Sequence, residues 1–225
     1  MREVTPLGAL ARGLAAGAAG AGAQSAFFAA TGKWMPQSPK GVFQPPDEQQ
    51  ASENGLQTVV RRTVEGLLRR GPLTARARDT GVEVLHYAYG AAWGGLWGLA
   101  RESFPGVASA AGVAAFSNLV WLLGDELMYP AFRLGAWPHH YPAKTHAYSN
   151  LAHVAFGAGV CFAYEALRQP IWAFLGTALW ALAARRKVHQ RLPKATWPAA
   201  DRLVAARVWL RTQHPLSRAR AFAGV

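Results

Sequence analysis

Cysteine is nearly absent: Cys161 stands alone among 225 residues, which excludes an intrachain disulfide. It falls inside an apolar run, where it reads as a small hydrophobic side chain rather than a reactive thiol. Catalytic signatures are missing too. There is no GxSxG, HExxH, Walker loop or zinc-spaced cysteine set, so no catalytic residue is assigned and no cofactor is expected. No period of 20 to 50 residues recurs, which excludes a repeat array. Acidic residues are scarce, 12 against 24 lysines and arginines, for a formal net charge of +12. That charge comes without a ribonucleoprotein motif or aromatic-basic alternation, and the arginines flank apolar stretches. Anionic lipid headgroups are therefore the expected partner, and nucleic acid is not.

Charge of either sign is also missing locally. None falls between Arg12 and Lys33, Glu83 and Arg101, Glu102 and Asp125, or Lys144 and Glu165, leaving gaps of 20, 17, 22 and 20 residues. A bilayer core of about 30 Å needs roughly 20 helical residues. The expectation is an all-α membrane bundle with four spans, near 10–31, 82–100, 107–130 and 145–167. Trp34, Trp93, Trp97, Trp121, Tyr129, Trp137 and Tyr141 agree, because indole and phenol rings gather at bilayer interfaces. The mean hydropathy is only +0.03 although 51% of residues are hydrophobic, since alanine and glycine supply much of the apolar content. A soluble, alanine-rich bundle is the alternative. The start of the chain also has the basic, apolar and small residues of a cleaved leader, but its apolar run continues to Ala30, which favours a retained first helix.

Between the first two runs, prolines at 36, 39, 45 and 46 oppose helix. Beyond them Leu56, Val59, Val60, Val64, Leu67 and Leu68 recur at helical spacing opposite Arg61, Arg62, Arg69 and Arg70, and Gly71-Pro72 ends the pattern. This basic amphipathic helix is expected in the membrane surface, with docking on its own loop as the alternative. Two regions follow: a transmembrane domain over 1–168, including the connector at 32–80, and a basic tail over 169–225 with a short apolar segment at 171–184. Counting that segment as a fifth span puts twenty positive residues on one side and four on the other, against ten and fourteen for four spans.

Polar residues inside the runs fall on particular faces. Gly13, Gly17, Gly20 and Gln24 form a small-residue stripe in the first run; Gly90, Gly94 and Gly98 form one in the second, with Glu83 on the same face and His86 beside it. Glycines four apart let another backbone approach closely. Asn118 and Asp125 share a face of the third run, with Glu126 adjacent, and His146, Asn150, His153 and Gly157 follow one stripe of the fourth. The second run begins, the third ends and the fourth begins on one membrane side. These acids, imidazoles and amides are therefore expected in a vestibule enclosed by the second, third and fourth spans, with His139 and His140 above it. The opposite side offers only Arg101, Glu102, Glu165 and Arg168, and looks poor in polar chemistry.

The stretch HYAYGAAWGGLWG at 86–98, the prolines after the first run and SNLAHVAFG at 149–157 resemble the YagU-like family of bacterial inner-membrane proteins, a family of unknown function. The resemblance covers about residues 8–168 and falls on His86, Gly90, Gly94, Gly98, Asp125, His153 and Gly157. It implies a small multi-pass protein of the bacterial inner membrane and no particular activity. The arginine-rich tail has no counterpart in it, and the basic amphipathic connector is unusual for it.

Four functions fit the residues. Imidazoles change charge near neutral pH, and carboxylates beside them raise that point, so the cluster suits proton or ion handling or sensing. Imidazole and carboxylate on adjoining helices also suit a metal, and Glu83-x-x-His86 resembles half of a di-iron helix pair whose second half is absent. A membrane enzyme lacks any motif. The glycine stripes and basic helices fit an accessory subunit of a membrane complex, or a homo-oligomer.

Overall fold

The structure is a computed structural model that describes residues 5–36, 43–46, 48–168, 179–187, 190 and 201–205. Its regular elements are all helical among these residues. The chain divides into two compact units, Met1–Arg168 and Gln169–Val225. In the second, 179–187 and 201–205 are helical, and Arg185 grips Asp201 with two hydrogen bonds of 2.9 Å. The apolar segment at 171–184 lies outside the described residues up to 178.

The first unit contains five principal helices. They are α1 (Pro6–Thr31), α2 (Gly55–Arg61, continued by a π-helical turn Arg62–Leu67), α3 (Ala75–Ser103), α4 (Ala110–Trp121, continued by a π-helical turn Leu122–Met128 and a last turn Tyr129–Ala131) and α5 (Ala143–Arg168). Each start has a local cause. Thr5 accepts from the Gly8 N–H and Pro6 occupies the first turn of α1; Thr74 and Ser109 cap α3 and α4 in the same way; Asn54 and Gln57 form a reciprocal capping box on α2.

Two helices pack on α1. Both α3 and α5 lie against it, while α4 lies against α5. The α1–α3 contact is backbone on backbone: a Cβ at Gly13 would sit 2.3 Å from the Gly94 carbonyl oxygen, and one at Gly17 would sit 2.1 Å from that of Gly90. Only glycine permits this approach, and it runs the two helices antiparallel, so that Gly98 meets Ala9. Gly157 likewise admits Ser117 between α5 and α4. The space between α3 and α4 is filled by rings, with Trp97 4.8 Å from Phe116 and Phe116 stacked at 6.1 Å on Phe156. Ala16, Trp97, Val120, Phe156, Val160, Cys161 and Tyr164 complete the buried cluster.

Among the described residues no helix is long and apolar enough to cross a membrane, which runs against the expectation of four spans. Length is not the shortfall, since α1 and α5 have 26 residues each and α3 has 29, or roughly 39 to 44 Å at 1.5 Å per residue. Apolarity is the shortfall: alanine and glycine carry little transfer energy, and Gln24, His86 and His153 interrupt the runs. The third run is also broken into α-helical and π-helical pieces.

The connector is docked on its own unit, the alternative to a helix lying free in a membrane surface. Val60 of α2 is buried and packs where a Cβ on Gly81 would fall, and Gly55 admits the Tyr129 ring. Arg62 donates to the Phe132 carbonyl at 2.7 Å, and Gln50 donates to that of Arg133 at 2.6 Å. The fully enclosed Glu53 carboxylate receives Arg61 at 3.0 Å, Arg78 of α3 at 2.8 Å and the Thr58 hydroxyl at 3.1 Å. Leu67 and Leu68, expected on the apolar face, remain exposed.

Candidate functional site

The expected cluster separates into three neighbouring parts. The first is a small, partly open recess. Ala21 and Gln24 of α1, His86, Tyr89 and Gly90 of α3, Val120 of α4, and His153 and Phe156 of α5 line a cavity of about 20 Å³, room for roughly one water. His86 Nε2 lies 3.3 Å from the Ala21 carbonyl oxygen and 3.4 Å from Ser25 Oγ. His153, 8% exposed, holds its Nδ1 3.0 Å from the Ser149 carbonyl oxygen. Carbonyls accept only, so in each carbonyl contact the named ring nitrogen is the donor.

The second part is the seam between α4 and α5. Asn150 donates to Asn118 at 2.9 Å, Asn118 donates to the Ala114 carbonyl at 2.8 Å, and the Ser149 hydroxyl donates to Asp125. The Asp125 carboxylate also lies 3.8 Å from His153 Nδ1, so His153 joins the cavity to the seam. This seam is on the outside: Asn118 is exposed, and the Asp125 side chain is 44% exposed. The π-helical turn at Leu122–Met128 carries Asp125 and Glu126, and the widened backbone turns their side chains toward α5.

The third part is the Glu126–His146 pair. His146 Nδ1 is 2.6 Å from Glu126 Oε1, and its Nε2 is 3.1 Å from the Pro138 carbonyl oxygen. Both nitrogens face acceptors, an arrangement that only the doubly protonated ring satisfies fully. His139 and His140 pack their rings 4.0 Å apart on the neighbouring turn.

Two expectations need correction. Glu83 is exposed on α3 and enters none of these contacts, so it is not part of the cluster. The recess is not enclosed by the second, third and fourth runs alone: α1 supplies Ala21 and Gln24 to its wall, and Asn118, Asn150 and Asp125 lie outside it. The half-motif for a metal loses its acid with Glu83. Among the described residues no group of three or more His, Cys, Asp or Glu is placed to hold a metal ion.

The opposite end is far richer than its sequence suggested. Arg101 and Glu165, 7% and 6% exposed, pair at 2.6 Å; Arg168 pairs with Glu102 at 2.7 Å and with Glu165 at 3.2 Å; the Tyr164 hydroxyl donates to Glu102 at 2.9 Å. The sequence puts these residues at the ends of the second and fourth runs, on one side, but gives no sign of which pairs with which.

Scans of family models, of curated proteins and of solved structures each returned no match to this chain.

Proposed function

We propose that the first unit works inside a bacterial inner membrane as a proton-responsive helical bundle, His153 and His86 being the groups that take up the proton. The resemblance to the YagU-like family belongs to the same proposal. Support for the membrane comes from the exterior. Leu14, Leu96, Leu99, Leu119, Leu122, Leu151, Val154 and Phe162 are exposed along the helices, while Gln24, Ser117, His153, Arg101 and Glu165 are buried. A helix averaged over all its residues counts those inward polar groups against insertion; an assembled bundle does not show them to lipid.

The observation that carries the proton-responsive reading is the position of His153, between a small, partly open cavity and an external carboxylate. A charge placed on its ring acts on Asp125 and Ser149 on one side and on Gln24, Tyr89 and His86 across the cavity on the other. The cavity is about 20 Å³, and Phe156, Val160, Trp97 and Tyr164 fill the interior beyond it, which favours sensing over carriage of an ion through the bundle. Reconstituted full-length chain should change tryptophan emission and amide exchange between about pH 5 and 8. His153→Gln should remove most of that change and His86→Gln part of it. A wild-type signal flat across this range, or one retained by both variants, defeats the reading.

An accessory subunit is the competing function, and one observation favours it: a polar seam, Asn118 with Asn150, on the outside of the bundle.

A further inference from the structure

We infer that the α4–α5 seam carrying Asn118 and Asn150 is the face on which a second copy of this chain docks within the bilayer. The inference rests on the membrane reading above and names the partner of its exposed seam. Seven residues, about 10 Å of helix rise, separate Asn118 from Asp125. The carboxamide therefore lies well along α4, where an outward polar group would meet hydrocarbon.

The internal bonds leave part of this patch open. Asn118 uses its Oδ1 for Asn150 and one Nδ2 hydrogen for the Ala114 carbonyl. Its second Nδ2 hydrogen and the Oδ1 of Asn150 have no partner among the described residues. One is a donor and the other an acceptor, so the patch is complementary to itself in hydrogen bonding. Lipid tails supply neither group, whereas a copy related by a two-fold axis along the membrane normal presents both at the same depth.

The surroundings agree. Such an axis keeps like ends together, so the exposed Asp125 carboxylate of one copy comes beside the exposed Lys144 of the other, an ammonium with no ion-pair partner among the described residues. Ala111, Ala115 and Asn118 are exposed in succession on α4, small enough for close helix approach, and Leu119, Leu122, Leu151 and Val154 border them. Leu96 and Leu99 on α3 are also exposed, but no carboxamide accompanies them; that face suits lipid.

The test uses the full chain with Cys161→Ala, carrying Leu119→Cys or Leu122→Cys, in native membranes under a mild oxidant. Both exposed positions should give a disulfide-linked species of twice the chain's mass, and Leu96→Cys should not. In liposomes of phosphatidylethanolamine and phosphatidylglycerol, energy transfer between labelled copies should show Asn118→Leu/Asn150→Leu associating about tenfold more weakly than wild type. Equal cross-linking at Leu96→Cys, unchanged transfer in the double variant, or adducts only with a chain of another mass overturns the inference. Alkaline carbonate washing separates the two ideas. Release of the chain into the supernatant defeats the membrane reading itself, while a pelleted chain that stays monomeric defeats only the docking of a second copy.

Discussion

Gly94→Ala and Gly22→Ala make the same chemical change in helices that touch, and the structure gives them opposite signs. A Cβ on Gly94 would lie 2.3 Å from the Gly13 carbonyl oxygen and 2.4 Å from both the N and the Cα of Gly17. All three blocking atoms are backbone, so no rotamer change relieves them; α1 and α3 must separate by about 1 Å. A gap of that size forfeits a quarter to a half of each dispersion contact along the seam, and overpacking of this kind costs about 1–3 kcal/mol. Alanine's better helix propensity returns up to about 1 kcal/mol. The net loss expected for Gly94→Ala is about 1–2 kcal/mol. At Gly22 the added Cβ meets only the Tyr87 hydroxyl, at 3.9 Å. There the propensity term acts alone, and the variant should equal wild type or exceed it by up to about 1 kcal/mol.

Equilibrium unfolding followed by circular dichroism in one detergent, with equal denaturant slopes, measures the difference directly. Because the propensity term is common to both variants and both are compared in the same medium, the expected gap is the overpacking cost of about 1–3 kcal/mol and does not depend on whether the bundle works in lipid. A Gly94→Ala chain as stable as Gly22→Ala would show that the two backbones do not meet at Gly13 and Gly17.

Glu165→Gln strands the buried Arg101 charge and should destabilise the bundle by about 3–5 kcal/mol, while Arg101→Met/Glu165→Met should recover most of the loss in the same unfolding assay. A double variant no more stable than Glu165→Gln would contradict the pairing. Glu53→Gln removes the carboxylate that Arg61 and Arg78 share, so proteolytic cleavage within 50–74 should accelerate about tenfold with far-ultraviolet ellipticity retained. An unchanged cleavage rate would mean that the connector is held chiefly by Val60, Gly55 and Arg62.

The helices and their small-residue faces were legible because both are local. Charge-free gaps marked the long helices to within several residues of their ends, and a spacing of four put Gly90, Gly94 and Gly98 on one face of α3. The stripe through Gly13 and Gly17 was visible as well, but its pairing with that face was not, since it depends on how two remote segments align. Glu83 shows the limit of periodicity. Spacing puts it on the glycine face, yet whether a neighbour covers that face so near the helix start is a tertiary matter, and none does. The Arg101–Glu165 pair joins positions 64 apart, and nothing local to either residue announces it. Val60 illustrates the remaining difficulty: an apolar face opposite arginines fits a membrane surface and a protein surface equally well, and the docking partner, Gly81, lies in another helix.

The distribution of residue types in the first unit also explains why its helices must touch so closely. Glycine, serine, amide and imidazole groups are buried beside the apolar cluster of Trp97, Val120, Phe156, Val160 and Tyr164, so burial of large apolar side chains is not the sole contribution. Close backbone approach along Gly13, Gly17, Gly90 and Gly94 adds dispersion to it, and hydrogen bonds or ion pairs at both ends fix the register. Such a bundle tolerates little separation, because dispersion falls away within about 1 Å. Under the proposed function, a proton taken up at His153 would act on a structure with few compliant contacts on its α1–α3 side. The α4–α5 seam is different: it is joined by side-chain hydrogen bonds at Asn118, Asp125 and Ser149, and these can lengthen without breaking a backbone contact. Movement driven from His153 should accordingly appear in α4 and leave the α1–α3 pair in place, since α5 is held to α1 by close approach at Gly20 and Gly159.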